Sequence, residues 1–116
     1  MTNAASPIQE VRWDGQAVVV TAVGDIDLNS SADFQEKLLA LLAKGPQHIV
    51  LNLRQVPYMD SSGVASLVKL LSRARKVGAA VSLVELGERT RSLLEITRLD
   101  SVFDIYATEE EALGQR

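Results

Sequence analysis

There is no cysteine in the 116 residues, which excludes disulfide staples, thiolate metal sites and a cysteine nucleophile. Histidine occurs once, at position 48, with no second imidazole to share a metal. A basic excess is missing as well. Twelve Lys and Arg stand against 15 Asp and Glu, for a net charge of -3. Nucleic-acid binders carry the opposite field, so no direct nucleic-acid contact is expected. The longest apolar runs, Ala17 to Val20 and Leu38 to Ala43, are far too short to span a bilayer, so no membrane insertion is expected. The opening residues Met1 to Pro7 show neither a basic segment nor an apolar one, hence no visible secretory signal. Gly24, Gly45, Gly63, Gly78 and Gly87 stand singly, so no glycine-rich phosphate loop is present. What remains is 47% hydrophobic and 23% charged, ordinary for one globular domain, and a cytoplasmic location is expected. Nothing in this composition implies a cofactor.

The chain is expected to divide into a small, polar, flexible arm, residues 1–7, and a domain, residues 8–113. Ile8, Val11 and Trp13 lead to the turn dipeptide Asp14-Gly15, and the β-branched run Ala17 to Val23 follows, so a hairpin is expected with its second strand buried on both faces. Ala32 to Lys44 then takes helical spacing, with Phe34, Leu38, Leu41 and Leu42 on one stripe and Gly45-Pro46 as the stop. His48 to Leu53 reads as a buried strand, with His48 at its edge or facing solvent. A second helix is expected from about Ser62 to Val77, burying Val64, Leu67, Val68, Leu71 and Ala74. Ala79 to Glu85 is a strand, Gly87-Glu88 opens a third helix through Ile96, Val102 to Tyr106 is a last strand, and Thr108 caps a short terminal helix. Glu109, Glu110 and Glu111 in its first turn suit the helix dipole and read as a solvated face. The order β-β-α-β-α-β-α-β-α predicts an α/β sandwich, a mixed sheet of about five strands with helices packed on it.

Chemistry concentrates in Val56 to Val64, between a buried strand and an amphipathic helix, where open α/β sheets place their ligand and switch sites. Free N–H groups of Ser62, Gly63 and Val64 at the helix start would favour an oxyanion. Asp60 and Ser61 are also ordinary helix caps, and the two readings are compatible. No general base, metal set or phosphate loop accompanies them, so an enzyme is not expected.

Gly24-Asp25-Ile26-Asp27-Leu28, Ile49 to Leu53, Met59-Asp60-Ser61-Ser62-Gly63-Val64 and Leu93 to Asp100 fall in an order and spacing that resembles the STAS domain of bacterial anti-sigma factor antagonists. The resemblance covers about residues 8 to 113. It implies a binding module whose serine after the aspartate, Ser61, is phosphorylated by a serine kinase of histidine-kinase-like ATPase fold. That kinase acts as the anti-sigma factor. The unmodified form binds it and frees a sigma factor, and a metal-dependent phosphatase restores that form. The resemblance also places Asp25, Asp27, Asp60, Ser62, Gly63 and Val64 at the partner surface. Two departures stand out: Asp25 replaces the usual glutamate, and Val64-Ala65-Ser66 replaces the usual Leu-Gly-Val. The same fold serves in stress-signalling scaffolds and as a subunit of lipid-transporting ABC systems. In that alternative, a flat apolar patch at Val64 and Ala65 is the docking face and Ser61 only a cap.

Overall fold

Residues 6–114 are described by a computed structural model, and their five strands lie side by side in chain order. Strands β1 (Ile8–Asp14) and β2 (Ala17–Val23) form the antiparallel hairpin expected around Asp14-Gly15. Then β3 (His48–Gln55), β4 (Ala80–Val84) and β5 (Asp104–Tyr106) join in parallel, each reached through a helix: α1 (Ser31–Leu42), α2 (Ser61–Lys76) and α3 (Glu88–Ile96). Right-handed crossovers that all step the same way across a sheet leave their helices on one face. The packing agrees. Phe34 and Leu38 of α1, Leu67 and Leu70 of α2 and Leu94 of α3 share one core with Val18, Val20, Ile49, Leu51 and Leu83 of the sheet. On the opposite face, Val19, Val50 and Val84 are covered by Ala112 of the short helix α4 (Glu109–Leu113), so β2 is buried on both sides as its composition predicts. No helix among the described residues is long and apolar enough to cross a membrane.

Several expectations are corrected. The arm's first five residues lie outside the described ones, but Ser6 and Pro7 are tied down. The Pro7 carbonyl accepts the Val23 N–H, and Ser6 Oγ accepts from Lys37 Nζ at 2.9 Å. Val68 is 40% exposed, and Leu70, not Val68, faces the core. His48 is neither solvent-facing nor at an open edge. It is buried, on the interior strand β3, with Nε2 2.7 Å from Ser82 Oγ on β4. The last strand begins only at Asp104, because a 3-10 turn at Leu99–Ser101 is closed by the Val102 and Phe103 N–H groups donating to the Leu99 carbonyl. Thr108 caps α4 as expected, accepting from the Glu111 N–H. Glu109, however, is not part of a solvated face: its carboxylate accepts from Arg12 at 3.0 Å and from the Asn52 amide at 2.7 Å. A polar side chain inside the apolar run of β3 needs such partners, and Asn52 also donates to Glu85.

Candidate functional site

The loop after β3 is pinned before it enters α2. Ile26 and Met59 form an isolated parallel bridge, with the Ile26 N–H donating to the Tyr58 carbonyl and the Asp60 N–H donating to the Ile26 carbonyl. This short ladder holds the backbone extended through Asp60, at φ -101° and ψ -172°, so the helix can begin only at Ser61. Asp60 is therefore the N-cap. Its carboxylate accepts from the N–H groups of Ser62 (2.8 Å) and Gly63 (3.2 Å) and from the Ser62 hydroxyl. The Val64 N–H donates to the Asp60 carbonyl.

Two expectations change as a result. Ser61 is not the cap but the first helical residue, exposed, and its hydroxyl has no hydrogen-bond partner among the described residues. The donors of Ser62, Gly63 and Val64 are not open to an oxyanion, because Asp60 already holds them. The Ser62 hydroxyl, the Gly63 and Ser62 N–H groups and the Leu28 N–H together hold the Asp60 carboxyl below its ordinary pKa, so it stays ionised beside Ser61.

Gly63 sits where the helix start meets the bridge. A Cβ there would lie 2.5 Å from Met59 Cγ, 2.9 Å from Ile26 Cγ2 and 3.0 Å from the Ile26 carbonyl oxygen. Only glycine lets α2 approach so closely. Gly63 is itself buried, and so is Val64, which is 7% exposed and part of the core. Both shape the position of Ser61 from below and present no side chain to a partner. The flat patch expected from Val64 and Ala65 does not form, since only Ala65 is exposed.

The Gly24 to Leu28 segment is brought to the same place by the Ile26–Met59 bridge. Asp27 spends its carboxylate locally, with Oδ1 accepting from the Asn29 N–H at 2.9 Å, while its N–H donates to Ser30 Oγ. Asp25 is exposed beside it. Residues that the sequence did not single out complete the surroundings. A shallow, open depression of about 640 Å³ runs from Tyr58, Asp60 and Ser61 to Glu88, Arg89, Ser92 and Ile96 of α3. Leu28 and Ile96 are each 80% exposed. Their apolar side chains off any buried stripe were the available signal. An exposed hydroxyl set among unsatisfied apolar surface and charged groups has the composition of a protein-binding face.

A family model described as "STAS domain" matches residues 9–112. The chain is 33% identical over 101 residues to the anti-sigma-B factor antagonist of Bacillus subtilis, covering 87% of this chain and 92% of that one. The fold superposes on an anti-sigma factor antagonist from Mycobacterium paratuberculosis with TM-score 0.85 and 26% identity, covering 98% and 97% of the two chains. It also superposes on the phosphorylated form of the Bacillus cell fate determinant SpoIIAA, with TM-score 0.72 and 23% identity, covering 93% and 97%.

Proposed function

The chain belongs to the STAS domain family, and on that premise we propose that it is a non-enzymatic antagonist of the anti-sigma factor kind, switched at Ser61. In this reading the surface around Ser61, with Asp25, Asp27, Asp60 and Ser62 beside it, binds a serine kinase of histidine-kinase-like ATPase fold. The kinase phosphorylates Ser61 and lets go, and a metal-dependent phosphatase resets the protein. The observation that carries the proposal is the state of the Ser61 hydroxyl: exposed, unbonded, lining the open depression, on a helix whose cap is a different residue.

A phosphoryl group adds about -1.5 to -2 charges at pH 7. Asp60 is ionised and already occupies the helix donors, so that charge would stand in solvent next to a carboxylate. A partner surface selected for the neutral hydroxyl would then meet two like charges, and the fold would be unaffected.

The test is titration calorimetry of wild type, Ser61→Ala and Ser61→Asp against one such kinase, with thermal melts of each. Because Ser61 is not a cap, both variants should fold within about 0.5 kcal/mol of wild type. Ser61→Ala should bind as wild type does, and Ser61→Asp about 5- to 150-fold more weakly. Peptide mapping after incubation with kinase and ATP should place one phosphate on Ser61 and none on Ser62, whose hydroxyl is held by Asp60. Equal binding by all three proteins, or label on Ser62, removes the proposal.

A further inference from the structure

β1 is an outer strand, so alternate N–H and C=O groups along it point away from β2 with no strand to meet. Val11 and Trp13 pair with Val20 and Val18, which places them on the helix-bearing side of the sheet, where they are 41% and 44% exposed. Beside them, between β1 and α1, runs a groove of about 210 Å³ lined by Ile8, Val11, Ala40 and Leu41 with Lys37 and Lys44. The opposite side of the strand carries Glu10, Arg12 and Asp14.

We infer that this edge is a self-association surface, taken by β1 of a second copy about a two-fold axis perpendicular to the sheet and midway between the Val11 residues of the two copies. The charges select that register. In an antiparallel pair centred on Val11, Glu10 of each copy lies directly opposite Arg12 of the other, on the same face, so two complementary pairs form at once. Centring on Glu10 or on Arg12 sets like charges face to face. Centring on Trp13 leaves only three residues paired before the turn at Gly15. The Glu10 carboxylate makes no hydrogen bond or ion pair within 4 Å among the described residues, and Arg12, which binds Glu109 through one nitrogen, keeps further N–H donors.

β1 carries a bulge between Ile8 and Glu10, so the same register sets Trp13 of the second copy beside the extra residue Gln9, next to Ile8. Its indole then falls over the groove beside Ala40 and Leu41 and fills apolar space that is otherwise left to solvent. Shape and charge thus agree on one occupant, a second copy of this chain. None of the groove residues lines the Ser61 cavity, so this inference stands apart from the switch.

Sedimentation velocity and the fluorescence of Trp13, the only tryptophan, test it. Wild type should be monomeric at about 1 μM and dimeric at about 100 μM, with emission shifting to shorter wavelength on association. Glu10→Arg alone and Arg12→Glu alone should each stay monomeric at the higher concentration. Mixed in equal amounts they should recover the dimer, since each supplies the charges the other needs. Arg12→Glu also loses the bond to Glu109, so circular dichroism checks its fold. Ala40→Arg, on the exposed face of α1, provides an independent arm: it blocks the groove and should abolish the dimer. A wild type that stays monomeric at about 100 μM overturns the inference. So does Ala40→Arg dimerising like wild type, or two folded charge variants that fail to combine.

Discussion

Gly63→Ala tests the joint that sets Ser61 in place. The new methyl would lie 2.5 Å from Met59 Cγ, 2.9 Å from Ile26 Cγ2 and 3.0 Å from the Ile26 carbonyl oxygen, against an ordinary carbon contact of about 3.5–4.0 Å. Met59 can swing part of the way. Ile26 cannot: it is fully buried, and its carbonyl is held by the Asp60 N–H. Overpacking of this kind costs about 1–3 kcal/mol. Alanine returns up to about 1 kcal/mol through its better helix propensity. The net expectation is a loss of about 1–2 kcal/mol, or a melting temperature lowered by about 4–8 °C. Urea titration measures the loss, and two-dimensional NMR should show shifts at the Ile26 and Met59 methyls and at the Ser61 amide. Gly24→Ala is the control. Gly24 has φ +82° and nothing within 4 Å of an added Cβ, so that variant should cost about 1 kcal/mol through backbone strain while leaving the Ile26 and Met59 methyls unmoved. A Gly63→Ala protein as stable as wild type, with those methyls unshifted, would refute the close approach.

Two further expectations concern the core and the far face. Leu67→Ala should cost about 2–5 kcal/mol and Val68→Ala less than about 1 kcal/mol, because Leu67 is fully buried and Val68 is 40% exposed. Equal losses in urea titrations would put the wrong face of α2 inward. Burial opposes ionisation of Glu109, but hydrogen bonds from Asn52 and Arg12 and the nearby charges of Arg12 and Arg54 outweigh it, and its pKa is lowered. A lowered folded-state pKa means stability that is present above the unfolded carboxylate value of about 4.3 and lost as pH falls through the folded one. Wild type should therefore exceed Glu109→Gln by about 1 kcal/mol at pH 7, and the gap should close towards pH 3; a gap that is flat with pH refutes this account.

The elements were legible because their stops are local: Asp14-Gly15, Gly45-Pro46 and Gly78 end strands and helices by backbone chemistry that neighbours alone decide. The misreadings share a different cause. Val68 is apolar and only one position from the buried stripe, so its exposure depends on which way the whole helix is rolled. His48 meets Ser82 across 34 residues, and Glu109 meets Asn52 across 57 and Arg12 across 97, separations at which sequence offers no signal. Asp60-Ser61-Ser62 contains three adequate caps. The choice fell to Asp60 because the Ile26–Met59 bridge, itself a contact across 33 residues, keeps the chain extended up to that point. The candidate site was therefore visible as a segment, whereas its second wall, on α3, was not.

Because strand order follows chain order, each strand after the first lays down beside the one made just before it, and the sheet can grow from β1 to β5 without waiting for distant sequence. The last helix is the exception, since its Glu109 binds back to Arg12 on β1 and Asn52 on β3 and its Ala112 covers Val19 of β2. The residues of the bridge that seats Ser61 and of the helices around it all precede residue 97, while the helix that covers the far face of the sheet follows it. The surface proposed to meet a partner is thus encoded complete before the chain reaches the helix that seals the sheet against solvent.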